Sequence, residues 1–396
     1  MDIATLDYLR SPAGRELLVA VTTAYDDDNA LQVSAGLSNR YSSDHVAAAM
    51  TQVRLRRRAG AKFGTDAAVM FFTSDGLEQA TSAEVAAYRA HRAADSGYSD
   101  VLDLTCGLGG DVIAFRRAGL HAGAVERDPL TAAVAAANLQ ELGLPVQVDV
   151  ASAEQTDRSE AGLVYVDPSR RRGGTRVFAP DEYSPPWHFV ESLLAGEAVV
   201  KAAPGLAHSK VPPGVEADWV SLDGQLREAA LWSGRAATVG RRATLLSSTQ
   251  APATLTEADD PGSADVRPPG RYVYEPDDAV IRAHLVTAVA AEVSGWLLDG
   301  RIAYVSSDER KPSRLARAYE VLEVLPFKER SLRAALRSRD VGPLTIKKRG
   351  VTVTPETLRR RLALSGRTAA TIIISRTPRG ATVLLVRPVT APAQRP

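Results

Sequence analysis

Three kinds of apolar spacing succeed one another along the 396 residues. As far as about residue 95, leucine and alanine recur at helical spacing, most plainly in Gly14 to Ala24 and Ala83 to Ala93, with no strand-like alternation to compete. Residues 1–95 therefore read as a helical region. From Val101 the pattern turns to short β-rich runs at 101–105, 122–126, 146–150, 163–167, 197–201, 217–222, 227–232 and 242–247, with helical stretches among them. Strands that alternate with helices predict an α/β fold with a doubly wound, mostly parallel sheet over 96–250. Residues 251–270 are rich in Pro, Asp, Ser, Thr and Gly without any period, which predicts a linker or mobile loop. A connecting α/β segment over 271–324 carries a helix at about 277–293. The last stretch, 325–396, reads as a small α+β domain: helix 328–338, strand 343–348, helix 355–362 and a hairpin of 369–375 with 381–387.

Length suggests two or three domains. No signal pattern follows Met1 and no apolar run reaches the ~18 residues that span a bilayer, so a cytoplasmic protein without membrane contact is expected. The single cysteine, Cys106, rules out an intrachain disulfide, and six scattered histidines show no paired ligand spacing, so no metal is expected. The net charge of +1 conceals an asymmetry that changes the picture. Residues 301–396 hold 21 Lys and Arg against 7 Asp and Glu, whereas residues 1–300 hold 27 against 40. A basic end on an acidic chain points to a polyanionic partner; the alternative is compositional drift in a chain that prefers Arg to Lys.

The chemistry begins at Val101-Leu102-Asp103-Leu104-Thr105-Cys106-Gly107-Leu108-Gly109-Gly110-Asp111, where an apolar strand runs into a glycine-dense turn that opens a helix. Such a turn brings backbone amides close to a ligand at a helix N-terminus. A dinucleotide fingerprint would want Gly or Ala where Val112 stands. Asp103, inside the strand, is placed to meet the ammonium of a methionine-like tail. Sixteen residues after Gly110, the run Ala122-Gly123-Ala124-Val125 ends in Glu126, where a neighbouring strand presents a carboxylate to a ribose. At the third strand, Asp149 or Ser152 is the polar residue nearest an adenine. The arrangement D-x-T-x-G-x-G-G, carried by Asp103, Thr105, Gly107, Gly109 and Gly110, resembles the first motif of class I S-adenosylmethionine-dependent methyltransferases, and Glu126 fits the ribose-binding acid of that family.

A second motif, Leu163-Val164-Tyr165-Val166-Asp167-Pro168-Ser169-Arg170-Arg171-Arg172-Gly173-Gly174, sets an acid and a proline at the end of the fourth strand, the sheet edge where ligands bind. It resembles the D-P-P-[YF] signature of amino-group methyltransferases acting on nucleic-acid bases, with Ser169 and Arg170 replacing the second proline and the aromatic. It also resembles the D-P-x-R-x-G segment of 5-methyluridine methyltransferases, whose mechanism needs a cysteine after the fifth strand. Here Val200-Lys201-Ala202-Ala203-Pro204-Gly205 offers none, which favours a nitrogen acceptor. Asp167, Pro168 and Arg170 are the catalytic candidates. Arg171 and Arg172 read either as guanidinium forks for phosphate or as a solvated run, and Lys201 either as a site residue or as a core-edge lysine. Ser184-Pro185-Pro186-Trp187 reads as a substrate-facing lid or as a helix start with a buried Trp. Upstream, Leu77-Glu78-Gln79-Ala80-Thr81 resembles a helix that closes over the cofactor in many methyltransferases of this class, with Gln79 and Thr81 as candidates; an N-cap with a helix core explains the same letters equally well.

Taken with V-E-R-D-P, K-A-A-P-G and Leu344-Thr345-Ile346-Lys347-Lys348-Arg349-Gly350-Val351, these motifs resemble a bacterial group of class I methyltransferases with a C-terminal THUMP-like domain. The resemblance implies a seven-stranded catalytic sheet, S-adenosylmethionine as cofactor and structured RNA as substrate, since THUMP-type domains present RNA to attached modification enzymes. Lys347, Lys348 and Arg349 are the phosphate-binding candidates of the basic domain, with Arg333, Arg337 and Arg359 to Arg361 on its helices. Two other readings stay open: an RNA-binding protein that keeps the fold without transfer, and a small-molecule methyltransferase.

Overall fold

The computed structural model describes residues 1–169, 171–172, 175–176 and 183–389, without the side chains of 27, 171, 172, 175 and 176. It forms two compact units, Met1–Glu216 with Ala230–Thr238, and Ala217–Ala229 with Val239–Pro396.

The first unit opens on helices α1 (Ile3–Arg10), α2 (Pro12–Ala24), α3 (Ala30–Leu37), α4 (Ser43–Phe63), α5 (Ser74–Gln79) and α6 (Ala83–Asp95). Their starts are set by local chemistry. Asp2 accepts a hydrogen bond from the Thr5 amide, and Ser11 caps α2 ahead of Pro12, whose fixed φ suits the first helical position. Leu6, Leu9, Leu17, Val21, Val46 and Val53 are buried together, each worth roughly 1.5–3 kcal/mol of transfer free energy. Two buried amides then fix the segment that leads into α5. Gln52 exchanges hydrogen bonds with the Phe72 backbone at 2.8 and 2.9 Å, and Asn138 accepts from the Phe71 amide at 2.6 Å while donating to the carbonyls of Phe71 and Leu108.

Next come β1 (Asp100–Asp103), α7 (Gly110–Arg117), β2 (His121–Glu126), α8 (Pro129–Glu141), β3 (Val148–Val150) and β4 (Val164–Val166). The two-residue strands β5 (Arg171–Arg172) and β6 (Thr175–Arg176) pair with each other, and α9 (Trp187–Leu193) and β7 (Ala198–Ala202) follow. Strands β3, β2, β1, β4 and β7 lie side by side, all parallel, with β1 central and β4 buried at every residue. Beyond them stand β8 (Glu216–Leu222), β9 (Gln225–Trp232), β10 (Arg241–Leu246) and β11 (Ala253–Thr256), so the sheet order is β11-β10-β8-β9-β7-β4-β1-β2-β3. This is the doubly wound sheet that the alternation predicts, with nine strands where the family resemblance implies seven. The increase comes from β10, parallel to β8, and β11, antiparallel to β10. Strand β11 is four residues inside a Pro-, Thr- and Asp-rich stretch, too short to show a period.

The second unit continues with β12 (Tyr272–Pro276), α10 (Asp278–Arg282), α11 (Val286–Glu292), β13 (Trp296–Asp299), β14 (Ile302–Ser307), β15 (Ala316–Pro326), α12 (Glu329–Arg337), β16 (Val341–Arg349), α13 (Pro355–Leu362), β17 (Thr368–Thr377) and β18 (Gly380–Pro388). The single helix expected over 277–293 is two, because His284 takes a left-handed backbone at φ 58° between them. A seven-stranded sheet runs β13-β14-β12-β15-β18-β17-β16. The register of β16 against β17 shifts between Val341 and Leu344, where Pro343 has no amide to give to the ladder. Arg376 of β17 pairs with Asp299 of β13 at 3.6 Å, and Lys347 of β16 reaches Glu275 of β12 at 2.6 Å. The ends of this sheet therefore curl round towards each other. Helices α12 and α13 cover it through Leu332, Leu336, Leu358 and Leu362. Among the described residues, no helix is long and apolar enough to cross a membrane, and no group of His, Cys, Asp and Glu side chains gathers as a metal site.

Candidate functional site

The C-terminal edges of β1, β2, β4 and β7 bring most of the sequence candidates of the catalytic region together. Past β1, Gly107 and Gly109 adopt φ of 54° and 86°, left-handed values open to glycine at little cost. A side chain at Gly107 would meet only the Thr105 carbonyl, at 4.0 Å, so this bend faces open space. Gly110 starts α7. The Gly107 amide donates to Glu126 Oε2 at 3.1 Å and the Asp128 amide to Oε1 at 2.9 Å, which ties the glycine turn to the end of β2. A carboxylate has about four lone-pair directions, so Glu126 keeps capacity for hydroxyl donors.

Asp103 is buried, with Oδ1 accepting from the Thr105 amide at 2.9 Å. Its Oδ2 has no hydrogen-bond donor among the described residues. Burial, then the nearby Asp111 carboxylate, hold its carboxyl well above the usual carboxylate range. Asp149 is exposed on β3, beside Val125, and accepts from Gln147 at 2.7 Å. Ser152 is half-buried just beyond, where the Ala151 amide donates to the Glu126 carbonyl at 3.2 Å.

On the β4 side, the Asp167 amide donates to Thr105 Oγ1 at 2.7 Å, joining the ends of β1 and β4. Its Oδ2 accepts from Lys201 Nζ at 2.6 Å, and the same ammonium donates to Thr81 Oγ1 at 2.9 Å. Pro168 is buried behind it. Ser169 donates to Gln79 Oε1 at 3.2 Å, so the corner between α5 and α6 touches two strand ends through Gln79 and Thr81. That corner is braced from below by Lys62, whose ammonium donates to the carbonyls of Leu77, Glu78 and Ala80 at 2.8 to 2.9 Å, a C-terminal cap for α5. Lys62 stands on α4, too far along the chain from α5 for the sequence to suggest the contact. Arg170 and the side chains of Arg171 and Arg172 lie outside the described residues. Ser169 and Ser184 exchange backbone hydrogen bonds with each other, and Trp187 is a buried residue at the start of α9 whose indole donates to Glu191 at 2.7 Å.

Two relatives from Mycobacterium tuberculosis, one from strain CDC 1551 / Oshkosh and one from H37Rv, are named uncharacterized S-adenosylmethionine-dependent methyltransferases. Each is 37% identical to this chain over 333 residues, covering 81% of the chain and 90% of the relative. The chain belongs to the S-adenosylmethionine-dependent methyltransferases. A solved structure of a candidate methyltransferase from Porphyromonas gingivalis W83 shares the fold of this methyltransferase at a TM-score of 0.73 and 23% identity, covering 95% of this chain and 99% of that one. Residues 316–388 match the THUMP domain-like family, and residues 2–59 match a domain of unknown function (DUF8688).

The basic candidates of the methyltransferase's THUMP-like segment divide by what they touch. Lys347 pairs with Glu275 at 2.6 Å and Arg349 with Asp278 at 3.3 Å, both only partly exposed. Lys348, on the opposite strand face, is exposed and donates to the Val351 carbonyl. Arg333 and Arg337 on α12 donate to the carbonyls of Arg361 and Ala363 at the end of α13. Arg330 and Arg360 are exposed with no ion pair among the described residues. Cys106 is buried in the glycine turn, where burial, then Asp103 and Glu126, push its thiol well up.

Proposed function

We propose that this S-adenosylmethionine-dependent methyltransferase acts on structured RNA and delivers the methyl group to a base nitrogen. The observation that carries the RNA reading is the THUMP domain-like segment at 316–388, in a C-terminal stretch whose Lys and Arg outnumber its acids threefold. Exposed guanidiniums such as those of Arg330 and Arg360 suit phosphate oxygens, and among the described residues neither pairs with an acid that would have to be displaced.

The strand ends fit the cofactor. A buried carboxyl oxygen on Asp103, with no donor among the described residues, suits the ammonium of its amino-acid tail. The open bend at Gly107, with Gly109 and Gly110, suits close backbone approach, and Glu126 with its spare lone pairs suits ribose hydroxyls. Thr105 holds β1 to β4, while Asp149, Ser152 and Gln79 are the candidates at the rim. S-adenosylmethionine supplies a methyl group on a sulfonium that departs as a neutral thioether. What remains for Asp167 is to position the acceptor. One of its oxygens is occupied by Lys201, and the other has no partner among the described residues and is free to accept an N–H of the incoming base. The thiol of Cys106 is held protonated and sits in the donor turn, which argues against covalent attack on a pyrimidine carbon and so for nitrogen.

The test is transfer of labelled methyl from S-adenosylmethionine into total RNA from cells lacking the protein, followed by nucleoside mass spectrometry. A methylated base with the label on nitrogen is expected. A protein that binds S-adenosylhomocysteine yet labels no RNA fraction would overturn the reading.

A further inference from the structure

Arg89 on α6 is 1% exposed, an unusual place for a guanidinium. Its Nη1 donates to Asp111 in the first turn of α7, and its guanidinium lies 4.8 Å from the ring centroid of Tyr165 on β4. Tyr165 in turn meets Phe115 of α7 edge-on at 5.6 Å. One buried side chain therefore joins three elements that converge beneath the glycine turn. Packing alone gives no reason for a charge there, since replacing a buried ion pair by apolar groups of similar size is often neutral or stabilising.

The surroundings of Asp103 give a reason. Asp111 on α7 and Asp167 at the end of β4 both face it with negative charge, and the Cys106 thiol, itself flanked by Glu126 of β2, lies close by. Lys201 pairs with Asp167, and Arg89 is the cation that pairs with Asp111. We propose that Arg89 is a positioning residue for cofactor capture: by neutralising Asp111 and bracing α7 against Tyr165, it lets Asp103 meet the cofactor's ammonium as a carboxylate. The proposal rests on the reading of Asp103 as the ammonium-binding acid. Because burial and the flanking acids hold the Asp103 carboxyl above the usual carboxylate range, capture of a cation expels its proton, and affinity rises with pH until the group ionises unaided. Withdrawing Arg89 moves that rise to higher pH, and neutralising Asp111 moves it to lower pH. An Arg89 that served only as a brace would leave the midpoint unmoved in Arg89→Met and weaken binding by the same factor at every pH.

The experiment is calorimetric titration of the full chain with S-adenosylhomocysteine and with 5′-methylthioadenosine, which lacks the amino-acid tail, across the range from acid to neutral pH. The wild type is compared with Arg89→Met, Arg89→Lys and Asp111→Asn. The wild type should show a pH-dependent rise for S-adenosylhomocysteine that is missing for methylthioadenosine. Arg89→Met should shift its midpoint upward by about one pH unit or more, Asp111→Asn should shift it downward, and Arg89→Lys should stay near the wild type. If Arg89→Met does not fold, Arg89→Gln takes its place with the same upward shift expected, and a downward or absent shift overturns the proposal. Shifts in the same direction for the Arg89→Met and Asp111→Asn variants, or none, overturn it while leaving the reading of Asp103 intact. Identical pH dependence for the two ligands in the wild type instead removes the reading of Asp103, and the proposal with it.

Discussion

Lys201 Nζ lies 2.6 Å from Asp167 Oδ2, and its second hydrogen bond runs to Thr81 at the corner between α5 and α6. The ammonium thus fixes the rotamer of the acid proposed to orient the acceptor, and it ties the corner that carries Gln79 to the end of β7. Both side chains are partly shielded, at 16% and 31% exposure, so the pair keeps a geometry that a fully solvated pair would lose. Lys201→Met should therefore lower kcat by about tenfold to a hundredfold, the scale of one charge-assisted hydrogen bond, while S-adenosylhomocysteine affinity stays within about threefold. Lys201→Arg should recover part of kcat. Equal loss of kcat and of cofactor affinity in Lys201→Met would assign the lysine to the donor side instead.

Asp103 carries a stability cost that the cofactor-free protein reveals through pH. Burial first, and the Asp111 carboxylate second, raise the folded-state pKa of its carboxyl above its value in the unfolded chain. Between those two values the folded state binds the extra proton, so stability falls as pH rises through the window and levels off above it. Asp103→Asn cannot titrate. Its Tm, measured relative to the wild type without cofactor, should become more favourable as pH is raised from acid towards neutral, while S-adenosylhomocysteine affinity drops. A Tm difference that stays constant with pH would contradict the assignment.

The places of the glycine turn, Glu126 and Asp167 were legible because each follows an apolar run, and a parallel sheet gathers the ends of such runs on one edge, whereas Lys201 after the same kind of run read equally as a core-edge lysine. What joins them was not legible. Thr81 and Lys201 are 120 residues apart, and no local pattern announces that contact. Arg89 left a signal that periodicity could have caught: it stands on the stripe of Val85, Ala86, Ala90 and Ala93, the buried face of α6. Lys347, Lys348 and Arg349 read alike as a charge run, yet strand alternation separates the first and third from the second, and the acids that engage them lie on β12 and α10. His284 broke an apparently continuous helix because a left-handed backbone at a histidine has no sequence signature.

Cys106 supplies a check on the acceptor class. With its thiol pushed up by burial and by two neighbouring acids, it should resist alkylation near neutral pH in the folded protein. Cys106→Ser should keep kcat for RNA methylation within about threefold, because the loss concerns packing in the turn and no covalent step. A collapse of turnover with cofactor affinity unchanged would revive the covalent route through a pyrimidine carbon.

The basic segment makes the sharpest contrast between residues that hold the domain and residues that meet RNA. Lys347 and Glu275 are 26% and 15% exposed and draw β16 towards β12, so Lys347→Met should cost stability, about 1–2 kcal/mol, seen as a lower Tm. Its RNA affinity, corrected for the folded fraction, should barely move. Arg330→Ala and Arg360→Ala remove exposed guanidiniums that no acid engages among the described residues, so Tm should hold and RNA affinity should fall. Each contact to a phosphate releases about one counterion, so the slope of log K against log salt should drop by about one unit per arginine removed, whatever the RNA sequence. The reverse pattern, with Lys347→Met weakening RNA at unchanged Tm and the arginine variants indifferent to salt, would move the RNA surface from α12 and α13 to the edge strand β16.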